Sequence, residues 1–71
     1  MRDQETVDFE IKLLLEALFF KYRADFRNYS ISSVRRRLTL AMTRLGFSSL
    51  SQMQDQVLSD PALYDRLLQF L

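Results

Sequence analysis

Three consecutive arginines, Arg35, Arg36 and Arg37, with Arg44 seven positions further on, are the residues of this chain best suited to chemistry. A guanidinium is a planar fork of donors that grips carboxylates and phosphates bidentately, so the chemistry is recognition of an anion rather than catalysis. The segment from Lys21 to Arg44 holds seven basic residues (Lys21, Arg23, Arg27, Arg35, Arg36, Arg37, Arg44) and one acid, Asp25, a local charge of +6 in a chain whose total is +1. Residues 1–20 sum to −3 and residues 45–71 to −2. Such asymmetry in a small domain points to a surface with an acidic partner. Placed on a helical wheel with Val34 at zero, Arg36, Leu40, Arg44 and Arg37 fall between about 200° and 300°, opposite the apolar residues. They form an outward stripe about 15 Å long, and Arg35 lies on the other flank. Solvated arginines that merely keep a helix soluble are the bland alternative. Against it, cations in the first turns of a helix oppose its dipole, a local cost that some other gain should offset.

Other chemistry is scarce. With no histidine, no cysteine and a single glycine, the chain lacks the groups for thiol or Ser-His catalysis and for a glycine-rich phosphate loop. Asp3, Glu5, Asp8 and Glu10 read as solvated acids complementing the positive end of a helix dipole rather than as metal ligands. Asp55 and Asp60 straddle a helix break. No catalytic, cofactor or metal site is expected within the 71 residues.

The elements that must carry the arginines are helices. One glycine and one proline in 71 residues leave almost nothing for tight hairpin turns, so the fold class is all-α. Helix 1 is expected from about Glu5 to Tyr22, with two apolar rows: Val7, Ile11, Leu14, Leu15, Leu18, Phe19 and Tyr22, and then Phe9, Leu13, Ala17, Phe20 and Ala24. Two rows exceed what a surface helix of a small bundle needs. Either helix 1 is central, or one row covers something outside this chain. Helix 2 starts near Ser30 to Ser33 and ends at Leu45 before Gly46, burying Ile31, Val34, Leu38, Ala41, Met42 and Leu45. Helix 3 opens at Ser49 with Gln52 at capping-box spacing and buries Leu50, Met53, Val57 and Leu58. Asp60 caps helix 4, with Pro61 at its first position, and this helix is expected to run to at least Phe70 without a basic last turn or other stop signal, as at a domain boundary. The product is a small four-helix bundle, one long N-terminal helix plus three shorter ones. The charged start, Met1 to Glu5, carries no signal-peptide pattern, and the apolar runs are too short to span a bilayer, so a cytoplasmic location without membrane insertion is expected.

Read in order, Phe9-Glu10-Ile11-Lys12-Leu13-Leu14-Leu15-Glu16-Ala17-Leu18, Tyr22, Asp25-Phe26-Arg27-Asn28-Tyr29, Ser33-Val34-Arg35-Arg36-Arg37-Leu38, Leu45-Gly46-Phe47 and Asp60-Pro61-Ala62-Leu63-Tyr64 resemble the all-α N-terminal domain of CheR-type protein-glutamate O-methyltransferases. The resemblance covers about Phe9 to Leu71 and makes residues 1–71 such a domain, a fragment from which the catalytic α/β domain is absent. It implies that S-adenosylmethionine belongs to that α/β domain, with no cofactor held by this fragment, which would be non-catalytic alone. It implies as partners the missing methyltransferase domain and the acidic methylation helix of a chemoreceptor-like protein, gripped by the basic second helix through Arg37 most directly and through Arg35, Arg36 and Arg44. Two departures stand out. Leu40, Ala41 and Thr43 interrupt the basic stripe, and Arg23 follows Tyr22 where many relatives have glycine. A left-handed Arg23 would cost about 1 kcal/mol.

Two other readings compete. A small basic helical nucleic-acid-binding module is disfavoured by a pI near 8.1 and by few side chains suited to base edges. A helical protein-interaction domain without enzymatic context would leave the arginines solvated.

Overall fold

The computed structural model describes residues 3–71; Met1 and Arg2, part of the charged start, lie outside the described residues. Four helices follow one another: α1 (Gln4–Tyr22), α2 (Ile31–Leu45), α3 (Leu50–Ser59) and α4 (Pro61–Leu68). The architecture is the expected all-α bundle of one long helix and three shorter ones.

Local chemistry sets each boundary. Asp3 caps α1, its carboxylate accepting from the Thr6 N–H at 2.7 Å. That backbone hydrogen bond holds the Asp3 carboxyl below the usual carboxylate range. Ser30 caps α2 through Ser33 N–H, and Ser49 caps α3 through Gln52 N–H. The Gln52 side chain reaches back to the N–H and hydroxyl of Ser48, one residue before the cap. Asp60 caps α4 by accepting from Ala62 and Leu63, and Pro61 occupies the first turn.

Two helices end on left-handed residues. Gly46 (φ 85°) closes α2, with Phe47 N–H donating to Met42 O at 2.9 Å. Arg23 (φ 59°, ψ 25°) closes α1, with its N–H donating to Phe19 O at 2.9 Å. Arg23 therefore holds the left-handed conformation, which crowds the Cβ of any residue but glycine against the following carbonyl.

The core is one cluster. Ile11, Leu14, Leu15 and Leu18 of α1 pack with Val34, Leu38 and Ala41 of α2, Leu50, Met53 and Val57 of α3 and Leu67 of α4. Helix α3 touches all three others and shares its largest interface with α1. Tyr22, at the end of α1, stacks on Tyr64 of α4 with ring centroids 3.8 Å apart, and its hydroxyl donates to Val57 O at 2.6 Å. That one side chain ties the ends of α1, α3 and α4 together.

Of the two alternatives for the long helix, a central position is not what is seen: α3 touches all three other helices, and Phe9, Leu13 and Phe20 of the second α1 row are exposed. Two expectations need correction. Ile31, read as core, is exposed, because it is the first helical residue and lies beyond the cluster. Helix α4 ends at Leu68 rather than Phe70, and Arg66 stands in its last turn. There the N–H groups of Gln69, Phe70 and Leu71 bond three residues back, a tighter winding common at helix ends.

These terminators yield opposite predictions. Arg23→Gly relieves the left-handed strain and should raise the unfolding free energy by about 0.5–1 kcal/mol. Gly46→Ala introduces the same strain and should lower it by about 1 kcal/mol. Urea midpoints at unchanged slope check both. The Asp3 carboxyl, lower in the folded than in the unfolded chain, lends stability that is complete above the ordinary carboxylate range and is lost as pH falls through its folded value. Acid titration of the Thr6 amide signal should show this cap opening, a transition that Asp3→Asn abolishes.

Candidate functional site

Helix α2 turns Val34, Leu38 and Ala41 fully into the core, which forces the opposite face into solvent. That face carries Arg36, Leu40 (46% exposed), Thr43 and Arg44, with Arg37 along its edge. No acid occurs anywhere in α2. Arg44 lies in the last turn, where a cation complements the helix dipole.

The four arginines singled out from the sequence have different environments. Arg35 is half-buried against α1, where its Nη2 and Nε donate to Asp8 Oδ1 at 2.9 and 3.1 Å. With its amide oxygen turned toward the guanidinium, Gln4 accepts from the same Nη2 at 2.7 Å. Arg37 is exposed, and its Nη1 donates to the main-chain oxygen of Leu71 at 3.0 Å, linking α2 to the turn after α4. Arg36 and Arg44 are exposed and make no side-chain hydrogen bond or ion pair among the described residues. The structure thus brings Arg36, Arg37 and Arg44 to one face and takes Arg35 away from it.

Arg27 is likewise engaged by its own chain. It forms a two-pronged pair with Asp25 (3.0 and 3.1 Å), approaches Glu16 at 3.6 Å and lies 3.9 Å over the Phe19 ring. The hydrogen bonds from Arg27 hold the Asp25 carboxyl below its ordinary range.

The expectation that the N-terminal acids are solvated needs correction. Asp8 pairs with Arg35, and Glu10 is 8% exposed and accepts from Ser51 Oγ at 2.7 Å. The signal for Glu10 was present in the spacing: Val7, Glu10 and Leu14 fall on one row. Nothing local marked the Asp8–Arg35 pair, which joins residues 27 positions apart.

Two shallow grooves lie among the described residues. One, of about 180 Å³, lies between α1, α2 and the α2–α3 connection and is lined by Val7, Glu10, Thr39, Met42, Ser48, Ser49 and Leu50. The other, of about 280 Å³, is lined by Lys12, Leu15, Glu16, Arg27, Tyr29 and Ile31. Both fall below the roughly 300–1,000 Å³ of clefts that enclose drug-sized ligands.

Residues 10–71 match the family model described as "CheR methyltransferase, all-alpha domain". The chain belongs to this family. It is 42% identical over its whole length to the Pseudomonas putida protein named "Putative methyltransferase Cher3" and spans about a quarter (26%) of that relative's length. No solved structure matches it. Among the described residues, no helix of this CheR all-alpha domain is long and apolar enough to cross a membrane.

The geometry separates a packing arginine from surface arginines. Arg35→Ala should destabilise the domain by about 0.5–1 kcal/mol, the range of a well-formed, partly exposed ion pair. Arg36→Ala and Arg44→Ala should each stay within about 0.5 kcal/mol of the parent. A double-mutant cycle with Asp8→Ala should recover most of the Arg35 effect as coupling with Asp8.

Proposed function

We propose that this domain recognises the substrate of a protein-glutamate methyltransferase. In this reading α2 docks against an acidic helix of a chemoreceptor-like protein in the cytoplasm, with Arg36 and Arg44 as the gripping cations. Arg37 flanks them, and Arg35 keeps α2 in register on α1. Leu40 between the two free arginines supplies an apolar contact at the centre of the patch, the usual composition of a docking surface. The observation that carries the proposal is the pair of uncommitted guanidiniums on a helix that has no acid of its own. A partner helix with glutamates on one face would complement that stripe and align with it. Methyl transfer from S-adenosylmethionine belongs, in this reading, to a separate α/β domain of the full-length enzyme.

The test is a calorimetric or NMR titration with a synthetic amphipathic helical peptide bearing glutamates along one face. Binding should weaken with added salt, since the contact is between exposed charges. Arg36→Glu combined with Arg44→Glu should weaken it at least about tenfold, equivalent to about 1.4 kcal/mol. A glutamine version of the peptide should lose affinity similarly. No binding at low salt, or binding indifferent to the double reversal, would rule the reading out.

A further inference from the structure

The α1 face that the fold leaves bare carries a second, independent signal. Phe9, Leu13 and Phe20 are 57, 62 and 69% exposed. At about 100° per residue they fall within roughly 40° of one another on the helix. Their spacings of four and seven residues are those of a coiled-coil seam, whose intervening position is Glu16. An apolar partner surface would strand that carboxylate, so the complementary face must bring a cation to it. The link from Glu16 to Arg27 is loose, at 3.6 Å with the Glu16 side chain 49% exposed.

The charges beside the seam have a specific symmetry. Lys12 and Glu16 each stand two residues from Leu14 with opposite signs, Glu16 in the seam and Lys12 beside it on the same side. A pattern that inverts its charge about its own midpoint is complementary to itself when turned end for end. We propose that this face pairs with the same face of a second copy of the chain, the two α1 helices running antiparallel about a two-fold axis near Leu14. Phe9 then packs on the partner's Phe20, and Lys12 reaches the partner's Glu16, twice over by symmetry. Lys12 is already placed along the stripe, its Nζ 6.0 Å from the Phe9 ring centroid. Ala17, beside the seam, lets the two backbones approach. A contact built on three large side chains per copy lies below the roughly 1,200 Å² of standard interfaces, so the association is weak and concentration-dependent.

Sedimentation equilibrium of the chain from about 20 µM to about 1 mM tests this, because mass action sets the dimer fraction. The average mass should climb from 8.5 kDa toward twice that value. Lys12→Glu places acid against acid on both sides of the axis and should weaken association at least about tenfold, as should Glu16→Lys with the signs exchanged. The exchange Lys12→Glu with Glu16→Lys should restore it to within about threefold. Both side chains are exposed, so circular dichroism should show all variants folded. In a mixed-labelled sample, a nuclear Overhauser contact between the Phe9 and Phe20 rings should appear; within one chain the helix rise separates them by about 16 Å. A monomer at every concentration would overturn the proposal, the result expected if the stripe meets a different protein or domain. A dimer indifferent to Lys12→Glu, a charge exchange that fails to restore pairing, or a dimer without the Phe9–Phe20 contact would overturn it equally.

Discussion

A helix can bury only the faces that its neighbours are large enough to cover, and that constraint governs this domain. Helix α1 has 19 residues and two apolar rows, whereas α2, α3 and α4 have 15, 10 and 8. The three short helices gather on one side of α1 around Ile11, Leu14, Leu15 and Leu18. With a buried side chain worth about 1.5–3 kcal/mol, satisfying that row outweighs leaving Phe9, Leu13 and Phe20 in water. Once α1 has turned that way, α2 lies along its flank and Asp8 meets Arg35. The apolar row of α2 then faces inward, and Arg36 and Arg44 face outward.

The same packing divides the positive charge. Of the seven basic residues between Lys21 and Arg44, Arg27 and Arg35 are held by carboxylates and Arg37 by a main-chain oxygen. Lys21, Arg23, Arg36 and Arg44 make no side-chain ion pair or hydrogen bond among the described residues. The basic surface is therefore smaller than the local charge of +6 implies, and on α2 it is concentrated around Leu40. Arg35 illustrates why a count of charges overestimates a docking site. A guanidinium that finds a carboxylate on the neighbouring helix becomes part of the packing and is no longer available to a partner.

Membership of the CheR family, through its all-alpha domain, gives these surfaces a setting. The chain spans 26% of the length of the curated relative it matches. The basic face of α2 and the apolar stripe of α1 lie on different helices and differ in chemistry. In the readings proposed above, the first would meet an acidic helix and the second a second copy of α1.

Much of the fold was legible in the order of residues alone. The scarcity of glycine and proline, the caps at Ser30, Ser49 and Asp60, the left-handed stop at Gly46 and the periodic apolar rows are local features, and local hydrogen bonding and steric limits act the same way in any context. The outward stripe of Arg36, Leu40 and Arg44 was legible for the same reason, since helical spacing fixes which residues share a face. What only the tertiary structure decided is which apolar row of α1 became core, that Glu10 would be buried against Ser51, and that Arg35 would be consumed by Asp8 while Arg36 stayed free. The contacts Asp8–Arg35 and Glu10–Ser51 join residues 27 and 41 positions apart, and which groups meet is chosen by packing of the whole bundle, not by spacing along one helix.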